Sequence, residues 1–126
     1  HVLEPLSGYL TLGQKLIDRE LKSNLIPSWN FGPHKKNCKK VNFIVHLFIK
    51  EWEENKPKVV IKRNKNFHES QLLSLNIKKA KKELLWQPRL NLDETVSLTV
   101  DWYKNYFLDK KAEYISNYQI EYYIDK

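Results

Sequence analysis

The chain has little of what several functions require. Among its 126 residues there is one cysteine, Cys38, so no internal disulfide can form, which fits a reducing compartment such as the cytoplasm. There are three glycines, Gly8, Gly13 and Gly32, too few and too far apart for a glycine-rich loop that cradles phosphate. With five prolines added, no long low-complexity stretch is possible. No long apolar run occurs, so no segment reads as a membrane-spanning helix. The opening residues, "HVLEPLSGYL", lack a basic stretch ahead of their apolar ones. They read as the interior of a longer chain, not as a secretory leader.

What is present is ordinary globular material. Apolar residues make up 41%, charged residues 29% and aromatics 13%, enough to supply a core. The length suits one domain, residues 1–126, with 108–126 as a tail segment. The net charge is +7, which raises nucleic acid as a partner. The composition of that charge argues against it. Nineteen of the basic residues are lysines and three are arginines, and the lysines are spread along the whole chain. Lysine is a hydrated point charge without the planar fork that reads phosphate and guanine.

Periodicity places the elements. Pro5 to Leu21 reads as a helix with Leu6, Tyr9, Leu10, Gly13, Leu16 and Ile17 facing inward. "SWNF" (28–31) reads as a short strand stopped by Gly32-Pro33, and "HKKNCKK" (34–40) as a basic loop. Phe43 to Trp52 is apolar nearly all round and predicts a helix buried on more than one side. "PKVVIK" (57–62) predicts a second strand, 63–70 a polar loop and 71–76 an extended link. Asn76 caps a short helix, Ile77 to Leu85, with Ile77, Ala80, Leu84 and Leu85 inward. Pro88 forbids its continuation, so Trp86 packs into a corner. Asn91 and Glu94 have the spacing of a reciprocal cap for the next helix. Its inward stripe is Leu92, Val96, Thr99, Val100, Tyr103 and Phe107. The last residues predict a short amphipathic helix with Ile120 and either Tyr123 or Ile124 on one side.

Catalytic signals are sparse. His34 and Cys38 have helical ligand spacing, but no second pair completes a zinc site. His46 reads as a histidine at the core edge. Tyr106 and Lys110 have the Tyr-Lys spacing of short-chain dehydrogenases, yet at the end of a helix with no glycine-rich turn before it, and read as coincidence. The most pointed polar pair is His68-Glu69, on the loop between two apolar segments, where ligands are commonly met.

Three segments taken together are specific: "HVLEPLSGYL", "WNFGP" and "HESQLLSLNIKKAKKELLWQPRLNLDETVSLTVDWYKNY", with "SNYQIEYY" closing the chain. In this order and spacing they resemble the C-terminal part of the CDP-glucose 4,6-dehydratases, extended short-chain dehydrogenases. The resemblance covers nearly the whole chain. It implies an α/β fold: a small, mostly helical lobe with short strands, the substrate-binding part of such an enzyme without its Rossmann domain. It implies dehydration of CDP-glucose to CDP-4-keto-6-deoxyglucose for surface polysaccharide, by oxidation at C4, loss of water across C5 and C6, and return of hydride to C6. NAD would be the hydride carrier in the parent enzyme, with none bound by this portion alone. His68 and Glu69 are the residues it places at the substrate; no catalytic residue falls within the chain. The partner implied is the N-terminal Rossmann half, in a cytoplasmic enzyme able to form homo-oligomers. The competing expectation, from another class, is a non-enzymatic basic helical module that binds nucleic acid or protein.

Overall fold

A computed structural model describes residues 1–18, 21, 28–53, 58–60 and 74–126. Among them every regular element is helical: α1 (Leu3–Ile17), α2 (Val41–Trp52), α3 (Leu92–Phe107) and α4 (Ala112–Ile124), with a 3₁₀ turn at Lys35–Asn37 and a π-helical turn at Ala80–Leu84. The expected α/β lobe with short strands is therefore corrected to one that is all-helical among the described residues. A strand needs a neighbour to complete its ladder. Ser28–Phe31 has none among the described residues and is held by its side chains. The Trp29 indole N–H donates to Glu83 Oε2 at 2.9 Å. Lys79 lies 4.6 Å from the centre of the same ring. The described part of the second expected strand, Lys58–Val60, is exposed and likewise unladdered.

The corner between the π turn and α3 follows the sequence closely. The Asn76 side chain accepts from Lys78 N–H at 3.1 Å and starts the short helical segment. That segment ends where Leu85 takes a left-handed conformation (φ 58°), and both Leu85 and Trp86 N–H groups return to the Ala80 carbonyl. This is the closure that glycine usually provides. Leu85 itself is 80% exposed, not inward as its spacing predicts. A left-handed residue at a helix end points its side chain away from the face that the helix buries. Two residues after Trp86, Pro88 keeps the chain extended. Asn91 and Glu94 then form the expected reciprocal cap: Asn91 Oδ1 accepts from Glu94 N–H at 2.9 Å, and Asn91 N–H donates to Glu94 Oε2 at 2.7 Å. Such a cap contributes about 1 kcal/mol.

Around this corner sits the core: Ile77, Ala80, Leu84 and Trp86, with Leu12, Leu21, Trp29 and Phe31 packed against them. Burying a side chain such as Leu84 contributes about 2 kcal/mol. Along α3, Val96 and Val100 are buried, with Ile115 and Tyr123 buried on α4. Tyr103 and Phe107, expected inward, are exposed. On α4, Ile115, Gln119 and Tyr123 recur every four residues as the buried stripe, while Ile120 and Ile124 are exposed.

Two expectations about burial fail in the same direction. Helix α2 has no buried residue; it packs on α3 along one face and leaves Val41 and Phe43 exposed. On α1, Leu6, Tyr9, Leu10, Leu16 and Ile17 are exposed, and the buried positions are Glu4 and Gly8. Beside Leu12, the face that α1 buries carries small and polar residues, held there by hydrogen bonds and a close ring contact. Its apolar stripe is left uncovered.

Candidate functional site

The most connected polar group is the carboxylate of Glu4, 7% exposed in the first turn of α1. Its Oε1 accepts from the backbone N–H of Arg89 at 2.8 Å and of Leu90 at 2.6 Å. Its Oε2 accepts from the Tyr123 hydroxyl at 2.8 Å. One turn on, Ser7 Oγ donates to the Glu4 carbonyl at 2.7 Å and accepts from the Trp86 indole N–H at 2.9 Å. The Ser7 and Tyr123 hydroxyls are 2.9 Å apart. Arg89 closes the circuit. Its guanidinium donates to the carbonyls of Tyr123 and Ile124 at 3.1 and 3.2 Å and lies 5.4 Å from the Tyr123 ring centre. A cation there satisfies free carbonyls at the end of α4 and meets the negative end of its dipole. Burial pushes the Tyr123 phenol up to about 12, and its bond to Glu4 adds to the shift.

This network joins the start of α1, the corner and the end of α4. Beside it lies a hollow of about 380 Å³ whose wall includes Pro5, Gly32, Pro33, Lys39, Leu90 and Thr95. The loop after Phe31, the start of α1 and the start of α3 all meet there. The backbone N–H groups that Glu4 holds belong to the stretch forming one side of it. A second hollow, about 460 Å³ and mainly apolar, opens between α1, α3 and α4 at Leu6, Trp102, Tyr103 and Ile120.

His68 and Glu69, the expected substrate contacts, lie outside the described residues. The Gly32-Pro33 turn lines the first hollow. The other sequence candidates fall apart geometrically. Cys38 Sγ approaches the His34 backbone carbonyl at 3.9 Å, and no metal-binding cluster exists among the described residues. His46 is exposed, corrected from the core edge, and bonds Asn42 O at 2.6 Å. Lys110 donates to Asn105 Oδ1 at 2.7 Å while Tyr106 stacks on Trp102 at 5.1 Å. Sequence reasoning missed Glu4, Ser7, Arg89 and Tyr123. The one local signal, a carboxylate in the first turn of an apolar helix, marks Glu4 alone and none of its partners.

No family model matches this chain. It is 38% identical over 104 residues to the CDP-glucose 4,6-dehydratase of Salmonella typhimurium. The similarity takes in 82% of this chain and 28% of that protein, so the chain spans little more than a quarter of its relative's length.

Proposed function

We propose that this chain is the C-terminal, substrate-binding part of a CDP-glucose 4,6-dehydratase. The observation that carries the reading is the 38% identity spread over 82% of the chain. The uncovered apolar stripe of α1 supports it, since Leu6, Leu10 and Ile17 side by side in water are the kind of surface that further polypeptide covers. In the whole enzyme NAD would carry hydride between C4 and C6 of the sugar. The residues present do not fit that cofactor: Gly8, Gly13 and Gly32 form no dinucleotide turn, and no strand leads into a helix among the described residues. NAD is therefore assigned to polypeptide outside these residues, a Rossmann half, and the 126 residues alone are assigned no turnover.

His68 and Glu69 are assigned to CDP-glucose contact. The enzyme is placed in the cytoplasm, making a keto-deoxysugar for surface polysaccharide such as lipopolysaccharide, and as a homo-oligomer.

A chimaera tests this. The segment of the Salmonella enzyme that matches this chain is replaced by it, and keto-sugar formation from CDP-glucose is followed by absorbance in alkali. Activity is expected. A folded, NAD-loaded chimaera without activity would overturn the assignment. In the active chimaera, His68→Ala and Glu69→Ala are expected to raise KM and leave kcat unchanged, the mark of binding shared by ground and transition states. Turnover by the 126 residues with NAD and CDP-glucose would also count against it.

A further inference from the structure

A third hollow, about 350 Å³, lies between the basic loop and the start of the corner segment. Its wall carries His34, Lys35, Ser74, Asn76, Lys78 and Lys81, and none of the described residues lining it is acidic. Within it Lys81 Nζ stands 3.4 Å from His34 Nδ1. An ammonium can only donate, so Nδ1 accepts and the ring proton sits on Nε2. Three basic side chains elsewhere in the described residues have partners suited to a cation. Lys104 reaches Glu53, Lys126 reaches Glu94, and Arg89 reaches the carbonyls of α4. Lys81 instead faces a base that repels it once protonated.

We propose that this hollow binds the phosphate group of a small-molecule ligand, with Lys81 and His34 as the donors that hold it and Lys35 and Lys78 completing a cationic wall. A phosphate between Lys81 and His34 would replace a cation-to-base contact with two charge-assisted hydrogen bonds, the strong kind. Asn76 and Ser74 add neutral polar groups to the same wall. Burial first, then Lys81 and Lys36, hold the His34 imidazole below its ordinary value, with Glu4 pulling the other way. An arriving dianion outweighs these cations, so ligand binding and His34 protonation favour each other. Pro33 borders both this hollow and the larger one beside Glu4, so a group attached to the phosphate has somewhere to extend. The site stands on these residues and is independent of the dehydratase assignment.

The test is an NMR titration of the His34 ring protons in the 126-residue chain, at low salt, with inorganic pyrophosphate in one arm and CDP-glucose in the other. Saturation with pyrophosphate is expected to raise the His34 pKa. Added salt is expected to weaken binding. Lys81→Gln, at a half-buried side chain, and Lys78→Gln, at an exposed one, are each expected to weaken it by about ten-fold, and Lys104→Gln, at a cation paired elsewhere, to leave it unchanged. Tighter binding of CDP-glucose than of pyrophosphate identifies the phosphate as that of a sugar nucleotide. Pyrophosphate binding with CDP-glucose no tighter keeps the anion site and identifies free phosphate as its ligand, leaving the dehydratase assignment to the chimaera. No His34 shift with either ligand, or binding indifferent to both lysine changes, overturns the site.

Discussion

The Tyr123 hydroxyl donates to Glu4 Oε2 at 2.8 Å across 119 residues of chain. That bond makes the tail part of the fold, since Glu4 also holds the corner through two backbone N–H groups. The two ends of the contact are unequal. Glu4→Ala strands three donors, two of them buried, and each buried one costs about 1–3 kcal/mol when left unmade. Tyr123→Phe removes one hydroxyl, at about 1 kcal/mol. Urea unfolding is expected to show a loss for Glu4→Ala several times that for Tyr123→Phe. Equal losses would mean that the carboxylate does not organise the corner.

The same phenol gives a titration with a definite sign. Tyr123 is neutral when protonated, and its folded value of about 12 lies above the ordinary 10.0. Between these values the unfolded chain has released this proton and the folded chain retains it. The resulting stability is full below pH 10 and is lost as pH rises towards 12, at up to about 1.4 kcal/mol per pH unit. Phenolate absorbance should show one of the seven tyrosines ionising late. Tyr123→Phe should remove that late step and flatten the fall in stability. If the late step survives the substitution, it belongs to another tyrosine.

Trp86 is 5% exposed and meets Phe31 edge to face at 5.0 Å between ring centres. Trp86→Ala is expected to cost about 3–5 kcal/mol, the range for removing a buried aromatic. Trp86→Phe keeps one ring but loses the donor to Ser7 and part of the buried indole volume, so a smaller loss than in Trp86→Ala is expected. Thermal melts of the pair compare the two losses. Unchanged melting in Trp86→Ala would show that the corner is held by something else.

Local rules made the corner legible. Asn76, Pro88, Asn91 and Glu94 act within a few residues of themselves, so their spacing alone gave the cap, the break and the buried Trp86. Faces were not legible. The α1 stripe from Leu6 to Ile17 has the pattern of a core face, but periodicity records only that a face is apolar, not what covers it. In this chain it is uncovered, and the buried side carries Glu4 and Gly8. The strands failed for a related reason. "SWNF" has strand composition, but a ladder depends on a neighbour that the segment does not itself encode. The Glu4 network was out of reach because its members come from three distant segments, and no spacing rule joins Glu4 to Tyr123.

Leu85 is an exposed leucine in a conformation that costs a residue with a Cβ about 1–2 kcal/mol. Glycine takes it without strain but loses some backbone entropy on folding. Since Leu85 is 80% exposed, little burial is forfeited. Leu85→Gly is expected to stabilise by about 0.5–1 kcal/mol, seen as a higher urea midpoint with unchanged slope. Destabilisation would show that the leucine makes contacts worth more than the strain it carries.

Two glycines on α1 provide a matched pair. Both lie within the helix, where alanine is favoured over glycine by about 0.5–1 kcal/mol. At Gly13 a new Cβ would meet nothing within 4 Å, so Gly13→Ala is expected to stabilise by that amount. At Gly8 a Cβ would lie 2.3 to 2.7 Å from three atoms of the Phe31 ring. That ring cannot simply step aside. It stands edge-on to Tyr9 at 5.5 Å and to Trp86 at 5.0 Å, so moving it loosens "WNFGP" from the corner. Overpacking of this kind costs about 1–3 kcal/mol, more than the helical gain. Gly8→Ala should therefore destabilise while Gly13→Ala stabilises, on the same helix and with the same atoms added. Denaturant titration of both variants decides it, and Trp fluorescence should shift in the first alone. If both stabilise, Phe31 does not need the close approach to α1, and the packing of "WNFGP" against the helix is looser than the contacts indicate.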